Sequence, residues 1–285
     1  MPNSRDIKRR IKSVTSTQQI TKAMKMISAT KLRKAQASVT AIRPFTHKID
    51  QMIQHVSGSL EHPYLQEREV KNVCYLVLGS DRGQCGGFNA NLNRFLKHQL
   101  ETETRPYQVI AVGRKVRDFC RHNQLPLAGE YIGLGDLPHF NQSQGIAESL
   151  RKQFDAGEFD EINIIYSHFK SSMSQIPTMK RLLPISEPEP VEDEDEQLMV
   201  DDYIFEPSAA EVTAALLPQY VDVDVFCALQ EAKASEHGAR MTAMSSATDN
   251  VSEMIGSLTL SLNRARQAAI TTEISEIVGG AAALS

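Results

Sequence analysis

No proline occurs between Pro218 and Ser285, and within that stretch apolar or small side chains recur at gaps of four and three residues. His237, Met241, Met244, Thr248, Val251, Ile255, Leu258, Leu262, Ala265 and Ala269 hold the alternation without a break. That is the period of a helix seam packing along another helix. It predicts a single helix from about Gln219 to Leu284, on the order of 100 Å long at about 1.5 Å per residue. A rod of that length outruns any single domain, so it must pair with another helix, project, or enter another protein.

The first sixty residues supply a matching helix. Asn3 or Ser4 can cap it, and Asp6 suits the positive end of its dipole. Ile7, Ile11 and Val14 open a stripe that resumes at Leu32, Ala35, Val39 and Ile42 with the same spacing. Between them the register falls on Gln18, Thr21, Lys25 and Ser28, while Ile20, Met24 and Ile27 line another face, so the helix is expected to change its buried side. Pro44 is expected to kink or break it, because proline removes a backbone donor and clashes one turn back. A weaker helical pattern continues through Ile49, Ile53 and Val56 to Gly58.

The middle is different chain. Val73 to Leu78, Val109 to Val112, Ile162 to Tyr166 and Ile176 to Leu183 read as strands, and Ala90 to Leu100, Lys115 to His122 and Ile146 to Phe154 as helices. Strands alternating with helices argue for an α/β domain with a mostly parallel sheet. Residues 187–202, with nine acids and two prolines, read as a solvated loop. The expected fold is therefore α/β plus coiled coil: the N- and C-terminal helices form a long antiparallel coiled coil, with a Rossmann-like α/β domain inserted between them. The boundaries fall at 1–60, 61–206 (acidic loop 187–202) and 207–285.

Whole-chain properties narrow the function classes. The net charge of −4 hides an asymmetry: residues 1–60 hold twelve Lys and Arg against only Asp6 and Asp50. Cys74, Cys85, Cys120 and Cys227 show neither CxxC nor zinc spacing, which points to a reducing compartment. No apolar run approaches the roughly 18 residues of a membrane span, and no secretory segment is expected.

Gly79-Ser80-Asp81-Arg82-Gly83-Gln84-Cys85-Gly86-Gly87-Phe88 sits between a strand and a helix, where phosphate-binding loops occur. Its glycines do not form GxGxxG, and no Lys-Ser or Lys-Thr follows. A tight turn is the plainer reading, and a standalone nucleotide-binding enzyme dimerised by its coiled coil stays an alternative. Cys85 reads as a packed small residue rather than an activated thiol. The basic face of Arg5, Lys8, Arg9, Arg10, Lys12, Lys22, Lys25, Lys31, Arg33 and Lys34 could track nucleic-acid phosphates, meet acidic protein surfaces or simply be solvated. It carries no aromatic residue before Phe45, which argues against single-strand stacking. His237 on the seam reads as a core histidine, and Met24, Met26, Met241, Met244 and Met254 as adaptable packing. No Ser/His/Asp or paired-carboxylate constellation assembles with any specificity.

Several segments resemble the gamma-subunit family of F-type ATP synthases. They are Ile20-Thr21-Lys22-Ala23-Met24-Lys25-Met26 with Lys31-Leu32-Arg33-Lys34-Ala35, and Ser80-Asp81-Arg82-Gly83 with Cys85-Gly86-Gly87-Phe88-Asn89. Two longer runs lie near the C-terminus: Ala234-Ser235-Glu236-His237-Gly238-Ala239-Arg240-Met241-Thr242-Ala243-Met244, and Asn263-Arg264-Ala265-Arg266-Gln267-Ala268-Ala269-Ile270-Thr271 with Glu273-Ile274. The resemblance covers nearly the whole chain. It implies a non-catalytic rotor shaft, one copy per complex, with no cofactor, no metal and no nucleic-acid partner. The shaft would turn inside a hexamer of alpha and beta subunits and rest with epsilon on the membrane c-ring, coupling proton or sodium flow to ATP synthesis or hydrolysis.

By the same resemblance, Arg266, Gln267 and Thr271 fall on positions that hydrogen-bond the surrounding beta subunits, and Met24 and Arg240 on positions near the beta-subunit loop contacts. Tyr203, Phe205 and Glu206 fall on the foot that meets the c-ring and epsilon, with Phe205 where tyrosine is common. The small apolar tail Ile277 to Leu284 would be a bearing surface. Membrane association would come only through partners, on the cytoplasmic face of a bacterial plasma membrane or the stromal face of a photosynthetic one. Photosynthetic relatives carry a cysteine-bearing regulatory loop near 187–202, and this chain has no cysteine there.

Overall fold

The computed structural model describes residues 4–57, 62–185, 206 and 208–284. The chain divides into two compact units, Ser28–Arg240 and Met1–Ile27 with Met241–Ser285. Its elements run α1 (Ser4–Ser57), β1 (Val73–Leu78), α2 (Phe88–Thr102), β2 (Tyr107–Val112), α3 (Arg114–His122), β3 (Leu127–Tyr131), α4 (Phe140–Asp155), β4 (Glu161–Phe169), β5 (Gln175–Leu183) and α5 (Ala209–Leu284). The fold class is the expected one: two long terminal helices around an inserted α/β domain.

In the Ser28–Arg240 unit the sheet order is β3-β2-β1-β4-β5. β1 pairs in parallel with β2 and β4, β2 pairs in parallel with β3, and β5 closes the other edge antiparallel to β4. β1 is buried at all six positions, as a central strand covered on both faces must be. Its side chains alternate between two cores. Val73, Tyr75 and Val77 meet Leu92, Leu96 and Leu100 of α2 and Val116 and Cys120 of α3. Cys74, Leu76 and Leu78 join Leu150 and Phe154 of α4, Leu217, Val221, Val225 and Leu229 of α5, and Ile49 of α1. Both terminal helices thus contribute to the domain core. β3, Leu-Ala-Gly-Glu-Tyr, has no apolar run for sequence reasoning to find and alternates between half-buried and exposed, as an edge strand can.

In the other unit the two terminal helices pair antiparallel. Gln18 Nε2 donates to Ser252 Oγ at 2.7 Å, Thr248 Oγ1 to Thr21 Oγ1 at 2.9 Å and Lys25 Nζ to Ser245 Oγ at 2.9 Å, so numbering rises on one helix as it falls on the other. On α5 the half-buried positions after Met244 include Thr248, Val251, Ile255, Leu258, Leu262 and Ala265, on the predicted spacing, and Ala269 is already exposed.

Three expectations about the helices need correction. The buried side of α1 does not change: Thr21 and Ser28 are buried while Ile20 and Ile27 are 59% and 54% exposed. Polar hydroxyls that can satisfy themselves on the helix backbone or on a partner hydroxyl hold the seam, and two isoleucines are left outside. Only Lys25 leaves the register, with Met24 half-buried beside it. Of the kink or break expected at Pro44, the break does not occur, since α1 continues to Ser57, and α5 starts ten residues earlier than expected and runs through Pro218. A proline forfeits one backbone bond, and tertiary packing carries the helix across it: Ala35 and Ile49 are buried on either side of Pro44, and Leu217 and Tyr220 beside Pro218. A stretch of α5 also proves apolar enough on average to cross a membrane, although half of it is buried inside the protein.

Candidate functional site

The Gly-rich segment forms the tight turn from β1 into α2. Gly79 lies so close to α3 that a Cβ there would sit 2.3 Å from Val116 Cγ2, and Gly113, at φ +93°, packs against it. Gln84 takes a left-handed φ of 62°, a conformation that costs a non-glycine residue about 1–2 kcal/mol. Cys85 is buried against Phe88 and Ala239, accepts a hydrogen bond from Asn89 Nδ2 at 3.1 Å, and has its thiol pushed up by burial. It is a packed residue, not an activated one. The crevice at the carboxyl ends of β1 and β2 is where open α/β sheets bind ligands. Here Leu229, Ala232 and Lys233 of α5 help to line it, beside Gly79, Asp81, Gly113 and Tyr131.

Two loops at that end of the sheet hold α5. Arg240 reaches the first: its guanidinium donates to Gly83 O at 3.3 and 3.4 Å and to Arg82 O at 3.4 Å, long contacts that are individually weaker than its 2.8 Å bond to Glu236 Oε1. Glu236 also receives Lys233 at 3.0 Å, and all three side chains are at most 8% exposed. The second loop, between β3 and α4, places Asp136 O 3.2 Å from His237 Nε2 and Pro138 O 2.8 Å from Gln230 Nε2. His237 is buried and its pKa is lowered, chiefly by that burial. With Nε2 donating to a carbonyl, its Nδ1 faces the Arg240 guanidinium at 3.4 Å as the acceptor. Asp136 is pushed up by burial, but the Lys31 ammonium 2.5 Å away outweighs that and holds it low.

The residues singled out in the sequence are distributed over both units. Met24 is half-buried on the α1 seam, and Arg266, Gln267 and Thr271 are exposed on α5. Thr271 Oγ1 donates to Gln267 O at 3.0 Å, one turn back. Arg240 is buried, and Glu206 is exposed. Tyr203, Phe205 and loop 187–202 lie outside the described residues.

The antiparallel register explains why exposure begins at Arg266. Gln18 faces Ser252. Fourteen residues before Gln18 is Ser4, where the described part of α1 begins, and fourteen after Ser252 is Arg266. From there the described side chains of α5 are exposed, including Ile270, Ile274, Ile277 and Val278 at 47–71%. Ile270, Ile274 and Ile277 have four-three gaps of their own and form a separate stripe, offset from the seam of Leu262, Ala265 and Ala269. Among the described residues no group of three or more His, Cys, Asp or Glu could hold a metal ion.

The loop contacts to α5 were not foreseen. Their acceptors are backbone carbonyls of Arg82, Gly83, Asp136 and Pro138, which leave no mark in side-chain pattern. The only signal was the polar cluster Gln230, Lys233, Glu236, His237 and Arg240 interspersed with small residues such as Ala232, Ala234 and Ala239.

A family model described as ATP synthase matches residues 3–284. The ATP synthase gamma chain of Desulfitobacterium hafniense is 50% identical over 287 residues, and that of Desulforamulus reducens 51% over 287, each alignment covering 100% of both chains. Among solved structures, a chain of the Euglena gracilis mitochondrial ATP synthase OSCP/F1/c-ring assembly in rotational state 3 superposes with a TM-score of 0.71 at 19% identity, over 99% of this chain and 94% of that one. A chain of the Tetrahymena thermophila mitochondrial ATP synthase central stalk and c-ring gives 0.60 at 24% identity, over 80% and 99%. At these identities the superpositions speak for the fold.

Proposed function

This chain belongs to the family of ATP synthase gamma chains, and from that premise we propose that it is the single, non-catalytic shaft of a rotary ATP synthase. The observation that carries the reading is the end of α5. Beyond the described part of α1, a helix exposing Arg266, Gln267 and an isoleucine stripe is left without a described partner in its own chain. An alpha/beta hexamer would enclose it. Planar Arg and Gln groups give directional contacts that can be made and released, while the apolar stripe slides against a sleeve. A shaft whose faces differ makes unequal contacts with otherwise equivalent catalytic sites. Turning it shifts their conformational equilibria one after another, by the differential contact energy of each state.

In this reading Met24, Arg266, Gln267 and Thr271 meet the hexamer, and Arg240 acts on it through the loop it holds. Tyr203, Phe205 and Glu206 belong to the foot on epsilon and the c-ring, and proton or sodium flow drives the turn. The proposed division keeps 1–60 and 207–285 as shaft and 61–206 as the domain on the foot. The chain would sit on the cytoplasmic face of a bacterial plasma membrane, attached through its partners.

The test is the double substitution Arg266→Ala with Gln267→Ala. Both side chains are exposed, so stability should change by no more than about 0.5 kcal/mol each. Coupled ATP synthesis by membrane vesicles should fall several-fold while the complex still assembles. Unchanged synthesis would remove these residues from the contact.

A further inference from the structure

Between Asp222 and Arg240, α5 is held by polar contacts on two opposite sides. Asp222 receives Arg151 of α4 at 2.9 Å, Gln230 and His237 bond the β3–α4 loop, and Arg240 bonds the Gly-rich loop. At 3.6 residues per turn, positions 222, 230, 237 and 240 lie within roughly 80° of one another. Asp224 meets Lys180 of β5 at 2.6 Å, Glu231 meets His168 of β4 at 2.6 Å, and Ser235 donates to Ser167 O of β4 at 2.7 Å. Positions 224, 231 and 235 cluster about half a turn away from the first set. Between the two sets lies an apolar seat that includes Val221, Val225, Ala228, Leu229 and Ala232.

Apolar burial is non-directional. A smooth hydrophobic seat resists withdrawal of a helix, but resists its turning only through the shapes of the side chains. Hydrogen bonds and ion pairs have defined directions and lose strength steeply with misalignment. Placed on opposite sides of one helix, they oppose rotation about its axis in either sense.

We propose that residues 222–240 of α5 form a torsional spline, a set of polar keys that stops the helix from turning within the α/β domain when torque passes between them. The keys are positioning residues. They touch no nucleotide, and they make the domain and this part of α5 turn as one. The proposal rests on the shaft reading given above.

The test uses the whole ATP synthase in vesicles, measuring ATP hydrolysis and the ion gradient that it builds. One variant removes keys from both sides, Gln230→Met with Ser235→Ala and Glu231→Gln. A matched control weakens only the seat, Val225→Ala with Leu229→Ala. The key variant should pump at least about five-fold less per ATP hydrolysed against an opposing gradient, the factor that even one of its three lost contacts corresponds to at typical worth. Its hydrolysis without a gradient should stay within about two-fold, and the control should keep its pumping per ATP even where its thermal stability falls as far. Equal loss of pumping in both variants, or none in the key variant, overturns the spline. If the key variant does not assemble, Gln230→Met and Ser235→Ala singly carry the same comparison. Failure of the unsubstituted chain to support any coupled pumping would instead overturn the shaft reading.

Discussion

Substituting Glu236→Gln leaves two buried cations, Lys233 and Arg240, facing an amide in place of the carboxylate both of them contact, at 3.0 and 2.8 Å. At an effective dielectric near 20, each contact represents about 6 kcal/mol of raw attraction, and the substitution removes both at once. Much of that attraction only offsets the desolvation of the charges. The net cost of breaking a buried pair is about 3–5 kcal/mol, and the upper half of that range applies because two cations are then left uncompensated. Lys233→Met should cost far less, about 1 kcal/mol, since Glu236 keeps Arg240 and one like-charge repulsion disappears. The order of severity should therefore be Glu236→Gln well above Lys233→Met. Against a typical domain stability of about 5–15 kcal/mol, the first change is a large fraction of the whole. Native-state hydrogen exchange of the β1 amides, buried at the centre of the sheet, reads the difference in the full chain. A Glu236→Gln variant no less protected than Lys233→Met would refute the assignment of Glu236 as the shared counter-ion.

Other consequences follow from the same contacts. Arg151→Met should destabilise the α/β unit by about 3 kcal/mol by removing the charged partner of Asp222 and leaving it only the Gln144 amide at 3.3 Å, and adding Asp222→Leu should recover most of it; burial already raises the Asp222 pKa, so the single-variant penalty in urea unfolding should shrink on acidification. His237, whose pKa burial lowers, contributes stability that is complete above the unfolded value of about 6.5 and is lost as pH falls through the folded one. Its surroundings are Glu236 and Asp136 on one hand and Arg240 on the other, and exchange of amides 132–137, corrected for intrinsic rate, should rise below about pH 6.5 in the natural chain but not in His237→Asn. On the helix pair, Thr248→Val should cost about 1 kcal/mol by removing the cross-helix hydrogen bond to Thr21 Oγ1, which keeps its own bond to Gln18 O at 3.0 Å, and the double change Thr21→Val with Thr248→Val should cost less than the sum of the singles in thermal unfolding. A double variant as unstable as the sum of the singles would contradict that pairing.

The terminal helices were legible because a four-three repeat survives any reading frame of the helix, and Val251, Ile255, Leu258, Leu262 and Ala265 fall where it puts them. The strands β1, β2, β4 and β5 were legible as short apolar runs between turn signals. β3 was not, because an edge strand needs no apolar run and Leu-Ala-Gly-Glu-Tyr carries none. Ile20 and Ile27 misled in the opposite direction. Their size suggested a buried stripe, but Thr21 and Ser28 fit the close approach of the seam and can satisfy their hydroxyls there. The prolines misled because a local rule was set against packing on both sides of Pro44 and Pro218. Arg266, Gln267 and Thr271 could be picked from resemblance alone; why they are exposed follows from the register, since the described part of α1 begins opposite the first of them. The keys around residues 222–240 were hidden because sequence shows a polar side chain but not the carbonyl that receives it.

The central claim is that this chain turns as a unit inside a fixed ring of catalytic subunits. Its most direct test is single-molecule rotation of the complex, held by its head, with a bead fixed to a cysteine introduced by Ala128→Cys, at an exposed position of the edge strand β3. The account predicts one-way rotation on adding ATP, with pauses that divide each turn equally among the catalytic sites. A bead that stays still while the same complexes hydrolyse ATP would contradict it.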